Sequence, residues 1–298
     1  MTKTLHELRN WASDKENFQK IEDFSAFGEE YLLFSQDGLQ ARIVAQKENN
    51  YIFYQYKDDG NYNITRPFNS NLMIINEDFL DSKTKFNYAL ANIRDIKDDI
   101  VLRNIINKFI YTCQQTIGAT LDALPSGSSN KARKINGDLF ERYIRLVLKE
   151  IGFDAQDGTI SIPIKNDNKT LCEMKYQHDI VIKSNNIIKA IGSVKTSSKD
   201  RIDKIFVDKF LFNKLNDTYI PHFAIFLQDV QRRGRFPNFG VSTTFLPGHF
   251  KGYTIKLNPL DGVFYCDLRP NMKNDNFLSE HIHPLDKFFV EDIWKFIS

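Results

Sequence analysis

Two β-strand segments separated by a short turn most strongly constrain the fold of this chain. His178–Lys183 and Ile187–Lys195 are rich in β-branched residues, and Ser184–Asn186 between them is typical of a hairpin turn. Side chains alternate across a strand, so the even-numbered apolar residues would share one face. The pattern therefore predicts a β-hairpin whose odd-numbered residues share the opposite face.

The odd-numbered face of this hairpin collects the polar residues Asp179, Ser193 and Lys195. They fall on one face if the turn has an odd number of residues, such as the three of Ser184–Asn186. A two-residue turn would break the match unless a β-bulge, for which Gly192 is the candidate, restored it. The sequence thus predicts a carboxylate and a lysine side by side at a sheet.

A polar segment directly follows this strand and adds a candidate anion site. Thr196–Arg201 is rich in hydroxyl and basic side chains and is predicted to begin a helix over Ser198–Leu215. Free amides at a helix N-terminus favour a phosphate. A carboxylate can hold Mg²⁺, and a lysine can position the water that the metal activates. Together these groups are what phosphodiester cleavage requires.

These residues resemble a known superfamily. Asp179 followed by Ser193-Val194-Lys195 resembles the PD-(D/E)xK nucleases, and 193–201 resembles the active-site strand of type II restriction endonucleases. The resemblance spans about residues 136–230. It implies that Asp179 binds Mg²⁺, that Lys195 orients or deprotonates the attacking water, and that hydrolysis leaves a 5′-phosphate and a 3′-hydroxyl.

The chain departs from the family pattern at the second acidic position, which Ser193 occupies. Some restriction endonucleases resemble this S-x-K variant and take the missing acid from a helix. The resemblance implies Glu141 as the favoured acid and Asp208 as the alternative, although Asp208 would also suit an ion pair with Lys204 one turn away. The implied catalytic set is Asp179, Lys195, Glu141 and Ser193, and the implied metal set is Asp179, Glu141, Val194 and Asp208.

Three groups of polar and basic residues are candidate DNA contacts. They lie in the turn-rich loop before the predicted helix 136–152, in the polar segment after Lys195, and after the apolar strand 222–227, beside the predicted site. The members are Lys131, Arg133 and Lys134; Ser197, Ser198, Lys199 and Arg201; and Gln231, Arg232, Arg233 and Arg235. Arginine reads guanine and glutamine reads adenine through paired hydrogen bonds. A solvated basic surface remains the alternative for each group.

The order of predicted elements indicates an α/β protein. Predicted helices are 98–115, 136–152, 198–215 and 283–296; predicted strands are 51–56, 71–75, 159–164, 178–183, 187–195, 222–227, 241–245, 253–257 and 263–267. Asn136 or Asp138 is predicted to cap the second helix, and Gly152 to end it. This order predicts a restriction-endonuclease-like core with a central mixed β-sheet flanked by helices, plus a mixed α+β N-terminal region.

The turn-rich segment Leu124–Lys134 is the best candidate for a domain boundary. Residues 1–125 would form an N-terminal α+β region for support, dimerisation or DNA reading, and 126–298 the catalytic domain. The charge distribution supports this division. Residues 1–100 contain 12 Lys and Arg and 17 Asp and Glu, whereas residues 101–298 contain 28 Lys and Arg and 21 Asp and Glu. A basic surface on the second part suits a polyanionic partner.

Composition excludes several other classes. The chain lacks an apolar run long enough to span a membrane and an apolar N-terminal signal, so we expect a cytoplasmic, prokaryotic protein without membrane partners. Three widely spaced cysteines predict buried free thiols rather than a zinc site or disulfides. The absence of a P-loop and of a GxSxG motif disfavours ATP-driven and serine hydrolase chemistry.

These observations predict a Mg²⁺-dependent type II restriction endonuclease acting on double-stranded DNA. A palindromic target would call for a homodimer, and a cognate DNA methyltransferase would belong to the same system. Two alternatives remain: a repair or modification-dependent nuclease of the same fold, and a non-catalytic DNA-binding protein with a decayed nuclease core. The second alternative is motivated by Ser193.

Overall fold

The chain forms two compact units in a computed structural model that describes residues 2–57, 64–125, 127–166, 169–199, 201–235 and 237–297. The first unit comprises Met1–Tyr143 and Asp229–Thr244, and the second comprises Ile144–Gln228 and Phe245–Ser298. The units therefore divide within a helix rather than at residue 125. The functional roles predicted for 1–125 and 126–298 stay predictions.

The elements alternate between helices and strands along the chain. Up to residue 150 they are α1 (Leu5–Ser13), a 3₁₀ turn (Lys15–Asn17), α2 (Ile21–Asp37), β1 (Leu39–Val44), β2 (Tyr51–Tyr56), β3 (Phe68–Asn69), α3 (Asn76–Ala91), α4 (Ile100–Asp122) and α5 (Ser129–Glu150). The middle part contains β4 (Asp154–Asn166), β5 (Lys169–Ser184), β6 (Ile187–Ser197), α6 (Ile202–Asn216), β7 (His222–Gln228), β8 (Val230–Arg235) and β9 (Asn238–Thr243). The last part contains α7 (Pro247–Lys256), β10 (Gly262–Tyr265), α8 (Pro270–Asn274), α9 (Asn276–His281), β11 (Ile282–Pro284), α10 (Leu285–Lys287), a π-helical turn (Phe288–Asp292) and α11 (Ile293–Ile297).

The first unit is built around α4, which is buried along almost its whole second half. Phe109 of α4 stacks on Phe86 of α3 with ring centroids 4.5 Å apart. At the end of α4, the Asp122 carboxylate accepts two hydrogen bonds from the Arg66 guanidinium, at 2.9 and 2.8 Å. The stack joins α3 to α4, and the Arg66–Asp122 pair joins the end of α4 to the segment just before β3 of the antiparallel sheet β1-β2-β3.

The second unit contains a six-stranded mixed sheet in the order β11-β10-β7-β6-β5-β4. β11, β10, β7 and β6 pair in parallel, and β5 and β4 complete the sheet in antiparallel fashion. On one face Phe226 packs in a cluster with Phe206 of α6; on the other Phe223 lies 4.6 Å from Phe288, between ring centroids. Helices thus cover both faces, as expected for a sheet with buried parallel strands.

A buried ion pair ties α6 to Asp261, the residue before β10. The Lys209 ammonium is fully buried and donates to Asp261 Oδ2 at 2.7 Å, and the Tyr219 hydroxyl donates to Asp261 Oδ1 at 2.5 Å. Burial lowers the pKa of Lys209, against the effect of Asp261, and burial with the adjacent Asp261 raises the pKa of Tyr219 to about 12. The network is a structural one in which each charge has a partner.

Two predicted strands are wrong. Asn71 and Leu72 lie in a turn and residues 73–75 form an irregular segment. Ile74 is buried there, and its amide donates to Thr112 Oγ1 of α4 instead of to a neighbouring strand. The predicted strand 253–257 falls in α7 and the residue after it. Proline at the first position of α7 favours a helix start, and Phe250 and Thr254 are buried one turn apart.

The predicted caps of α5 are also wrong, because α5 begins seven residues earlier, at Ser129 rather than Asn136. Asn136 is buried within the helix and accepts a hydrogen bond from Gln114 Nε2 at 2.9 Å. Asp138 forms an ion pair with Lys15 at 2.7 Å. The prediction for the other end agrees with the structure, since Gly152 follows the helix with φ of 98°.

Cys113 and Cys266 are buried free thiols as predicted, whereas Cys172 is exposed on β5. No helix in the described part of the chain is long and apolar enough to cross a membrane.

Candidate active site

The turn between β5 and β6 differs from the predicted three-residue turn, but Asp179 and Lys195 still project to the same face of the sheet. Only Asn185 and Asn186 form the turn, with φ of 51° and 62°, typical of a two-residue hairpin turn. Ile182 pairs with Ala190 and Lys183 pairs with Ile188, so one extra residue, Lys189, is accommodated in a bulge. A two-residue turn alone would place Asp179 and Lys195 on opposite faces, and this bulge returns them to the same face.

Gly192, the predicted bulge site, instead pairs directly with Ile180. A Cβ atom at Gly192 would lie 2.3 Å from Cζ of the Phe223 ring. The glycine is required because the Phe223 ring packs against its Cα.

A second bulge lies at Asp179 itself. In the β4–β5 ladder Gly158 pairs with His178 and Gln156 with Val181, so two residues of β5 lie opposite one residue of β4. The pairing of β5 with β6 also ends next to Asp179, at Ile180. Bulges re-aim side chains and are common beside active sites. The Asp179 carboxylate is therefore released from the regular alternation of the strand.

Asp179 and Lys195 lie in direct contact. The Lys195 ammonium is 2.5 Å from Asp179 Oδ2, and the amide of Val194 donates to the same oxygen at 2.9 Å. The Asp179 side chain is 16% exposed and the Lys195 side chain is 29% exposed, so a solute can reach the pair. The predicted juxtaposition of these two residues is what the structure contains.

Arg145, on the last part of α5, contacts the backbone of Asp179. Its Nη1 donates to the Asp179 carbonyl at 2.9 Å, and its Nη2 lies 3.4 Å from Asp157 Oδ2. The Arg145 side chain is only 14% exposed. A planar guanidinium with several donors can hold two such acceptors in fixed geometry. We therefore identify Arg145 as a residue that holds the bulged strand, and the sequence analysis missed it.

Asp208 of α6 shares an electrostatic environment with Asp179. Burial lowers the pKa of His178, the neighbour of Asp179, while the Asp208 and Asp179 carboxylates act in the opposite direction. Asp208 also forms the expected ion pair with Lys204, at 2.5 Å. Asp208 is thus a carboxylate of the same unit that lies within electrostatic reach of the same histidine.

No protein-family model matches the chain, and no curated protein sequence matches it. Among solved structures, the crystal structure of the type IIP restriction endonuclease Kpn2I is similar, with a TM-score of 0.71 and 22% sequence identity. The similarity covers 98% of this chain and 97% of that chain.

This chain has the fold of a type II restriction endonuclease. The predicted fold class, a restriction-endonuclease-like α/β core with a mixed sheet and an α+β N-terminal region, is confirmed. The similarity also extends beyond the segment 136–230 that carried the resemblance in the sequence, because it includes the N-terminal helices and the C-terminal elements.

The predicted acidic set, Asp179 included, stays a prediction. Glu141 lies on the part of α5 that belongs to the first unit, whereas Asp208 belongs to the second. Ser193 is half-buried on β6 and pairs with Ala224, and Val194 is buried beside it. Within the residues described, no three His, Cys, Asp or Glu side chains cluster closely enough to hold a metal ion.

The segment after Lys195 continues as a strand rather than beginning a helix at Ser198. Ser197 still pairs with Gln228 of β7, and α6 begins only at Ile202. Ser198 is 1% exposed, which makes it a poor candidate for direct DNA contact. Lys199 and Arg201 are exposed before α6, with Arg201 at its N-cap position. Their predicted DNA contacts stay predictions.

The other two basic groups lie on regular elements. Lys131, Arg133 and Lys134 are exposed on the first turns of α5, so they lie on a helix and not in the predicted flexible loop; Ser126 of that loop lies outside the described residues. Gln231–Arg235 forms most of strand β8 and belongs to the first unit, unlike the apolar strand β7 that precedes it.

Proposed function

We propose that this chain is a type II restriction endonuclease, which hydrolyses phosphodiester bonds of double-stranded DNA at a specific sequence with Mg²⁺. The contact between Lys195 and Asp179, on adjacent strands of a fold like that of Kpn2I, carries the proposal. Kpn2I is described as a type IIP restriction endonuclease. Hydrolysis of DNA is the simplest function for a chain with that fold whose sheet carries an accessible carboxylate–lysine pair.

The donor atoms around Asp179 are compatible with Mg²⁺. Both hydrogen bonds to the Asp179 carboxylate, from Lys195 and from the Val194 amide, are accepted by Oδ2. Within the described residues no hydrogen bond is made to Oδ1, which is a hard oxygen of the kind that Mg²⁺ prefers. Mg²⁺ commonly binds through one or two carboxylates, with waters and substrate phosphate oxygens completing its shell. One or two protein carboxylates would therefore be enough to hold the metal when DNA is bound.

Asp179 would hold the metal, and either Glu141 or Asp208 would supply a second carboxylate, with Val194 beside them. When bound, Mg²⁺ polarises the phosphate and lowers the pKa of a water molecule. Glu141 is the acid that the family pattern favours. Asp208 lies on α6 in the same unit as Asp179.

Lys195 would orient the attacking water and offset the negative charge that builds up on the phosphate. Its ammonium is anchored by Asp179, so little reorganisation is needed when the substrate binds. The oxygen of water would bond to phosphorus in line with the bond to the 3′-oxygen, which breaks. The released proton balances the charge on the leaving 3′-oxygen, and the products are a 5′-phosphate and a 3′-hydroxyl.

Arg145 would keep this arrangement in place without touching the substrate. Its hydrogen bond to the Asp179 carbonyl fixes the backbone of the bulge from which the carboxylate projects. A displacement of about 1 Å in such an arrangement can cost about a hundredfold in rate. Arg145 is therefore a positioning residue in the proposed mechanism.

The proposal includes a homodimer acting on a palindromic target, a cognate methyltransferase encoded in the same system, and a cytoplasmic location. Two-fold symmetry of the protein matches two-fold symmetry of the site. Sedimentation of the purified protein with and without DNA would test the dimer, and a methyltransferase reading frame next to the gene would support the system.

Digestion of a fully sequenced phage DNA with purified protein and Mg²⁺ tests the proposal. Discrete fragments with 5′-phosphate ends, abolished by EDTA, are expected. Fragments from methylated DNA alone would indicate a modification-dependent nuclease of the same fold instead. Intact DNA under all conditions would contradict the proposal.

A non-catalytic DNA-binding protein is the second candidate, because Ser193 occupies the usual position of an acid and no three-residue ligand cluster occurs among the described residues. Sequence-specific DNA binding without any cleavage that depends on Lys195 would favour that function.

A further inference from the structure

The hairpin formed by β8 and β9 has two chemically different faces. In its antiparallel register Arg232 lies opposite Val241, and Arg233 lies opposite Gly240. Directly opposed residues project to the same side of a ribbon, and neighbours along a strand project to opposite sides. The pairing therefore assigns each side chain of the hairpin to one of its two faces.

One face of the hairpin packs against the rest of the first unit and includes Arg232. Val230 and Phe239 are buried in a cluster with Phe53, and Val241 packs at its edge. Arg232 lies on this face, and its Nη1 donates to the Ile64 carbonyl at 2.8 Å. Arg232 thus fastens the hairpin to the unit.

The other face consists of polar side chains without an acid. Three register pairs form it: Gln231 with Ser242, Arg233 with Gly240, and Arg235 with Asn238. Arg233, Arg235 and Asn238 are exposed, and Asn238 Oδ1 accepts a hydrogen bond from Gln46 Nε2 at 2.9 Å. The sequence contains no Asp or Glu from 231 to 260, so the two exposed arginines have no acidic neighbour within their own hairpin.

The composition of this outer face suits the edges of DNA bases. Arginine makes paired hydrogen bonds to guanine, asparagine and glutamine do so to adenine, and serine bonds to either type of edge. The major groove also admits a two-stranded β-ribbon. Arg233 and Arg235 are two residues apart on a strand, which is about 7 Å. That spacing matches about two base-pair steps of 3.4 Å each.

We propose that the outer face of the β8–β9 hairpin reads base sequence in the major groove of DNA, with Arg233 and Arg235 as specificity-determining residues. Arg232, although adjacent, has a structural role. The proposal rests on the proposed function for its ligand, double-stranded DNA. It adds to that function by assigning Arg233 and Arg235 to base recognition and Arg232 to the attachment of the hairpin.

The experiment is selection of bound duplexes from a random-sequence pool by the full chain, with Ca²⁺ in place of Mg²⁺ to prevent cleavage. Wild type, Arg233→Ala and Arg235→Ala are compared with Arg94→Ala, which removes an exposed arginine elsewhere in the first unit. Wild type is expected to enrich one motif. Each hairpin variant is expected to relax one base position of that motif and to bind the wild-type motif about tenfold to a hundredfold more weakly. Arg94→Ala should match wild type, and melting temperatures should agree among all four.

Two results would overturn the proposal. If both hairpin variants enrich the wild-type motif, with affinity reduced equally for all sequences and a smaller salt dependence, the arginines contact phosphates only. If both behave as wild type, or wild type enriches no motif, the hairpin does not read sequence. These outcomes are independent of cleavage: discrete Mg²⁺-dependent fragments with unaltered specificity in the variants overturn the reading role alone, and base-specific binding without cleavage overturns the nuclease function alone.

Discussion

The Lys195 ammonium and the Asp179 carboxylate meet at 2.5 Å across two adjacent antiparallel strands, at the point where those strands cease to pair. Two bulges produce this contact. The one at Lys189 corrects the parity of the hairpin, and the one at Asp179 frees its side chain from the ladder. An otherwise ordinary ion pair is thereby held in a partly exposed position on the sheet.

Replacing Arg145 tests whether positioning of Asp179 matters. Arg145→Ala removes the hydrogen bond to the Asp179 carbonyl and is expected to lower the single-turnover cleavage rate by about tenfold to a hundredfold, with DNA affinity unchanged. Arg145→Lys should recover part of the rate, since one donor can still reach the carbonyl. Asp157→Asn, which leaves that hydrogen bond intact, is the control and should cleave nearly as wild type. A wild-type rate for Arg145→Ala would show that the contact is dispensable.

The second acid is tested by the Mg²⁺ dependence of cleavage. Glu141→Gln and Asp208→Asn each remove one candidate carboxylate, and at least one of them is expected to raise the Mg²⁺ concentration for half-maximal rate by about tenfold or more, because Mg²⁺ binds carboxylates far better than amides. Lys204→Ala, which removes only the partner of Asp208, serves as control. If both amide variants keep the wild-type Mg²⁺ dependence, the site has no second acid among these residues.

Stability is expected to fall in mild acid because of His222. Burial lowers the pKa of His222 to about 4, from an ordinary value of 6.5. The unfolded chain therefore binds a proton that the folded chain does not bind between these values, so stability rises with pH across this window. From pH 6.5 to pH 5 the loss is about 1.5 kcal/mol, measured as the free energy of unfolding in urea. His222→Asn should lose this part of the pH dependence; an unchanged profile in that variant would assign the effect elsewhere.

Gly192 is expected to tolerate no side chain. Gly192→Ala would force its Cβ into the Phe223 ring and is expected to lower the free energy of unfolding by about 1 to 3 kcal/mol. Gly158→Ala, in the same sheet with open space around the glycine, is the matched control and should change stability little. Equal stability of the two variants would contradict the packing role of Gly192.

The two-residue alternation along the strands predicted that Asp179 and Lys195 share one face of the sheet, and the two side chains are in contact. The role of Ser193 on that face stays a prediction. The sequence left the turn length open, because Asn185-Asn186 and Ser184–Asn186 are both compatible with a hairpin turn. It also placed the compensating bulge at Gly192, whereas the bulge lies at Lys189. The two-residue turn and this bulge offset each other, so even-numbered residues still pair with even-numbered ones at the site.

Arg145 could not be found from sequence, since an arginine on an amphipathic helix is most often a solvated residue. Its role depends on a bulge in a strand more than thirty residues later. Likewise, the strand pattern at 253–257 was overridden by a proline helix start and by the burial of Phe250. The fold class was predictable because it depends on the order of elements, and these errors are local.

The most direct test of the account is single-turnover cleavage of a duplex that carries the chain's own target site, comparing wild type with Lys195→Ala and Asp179→Asn in Mg²⁺. Asp179→Asn and Lys195→Ala are each predicted to bind that duplex but to cleave it at least a hundredfold more slowly than wild type. Cleavage at the wild-type rate by either variant would contradict the assignment of this pair to the chemistry.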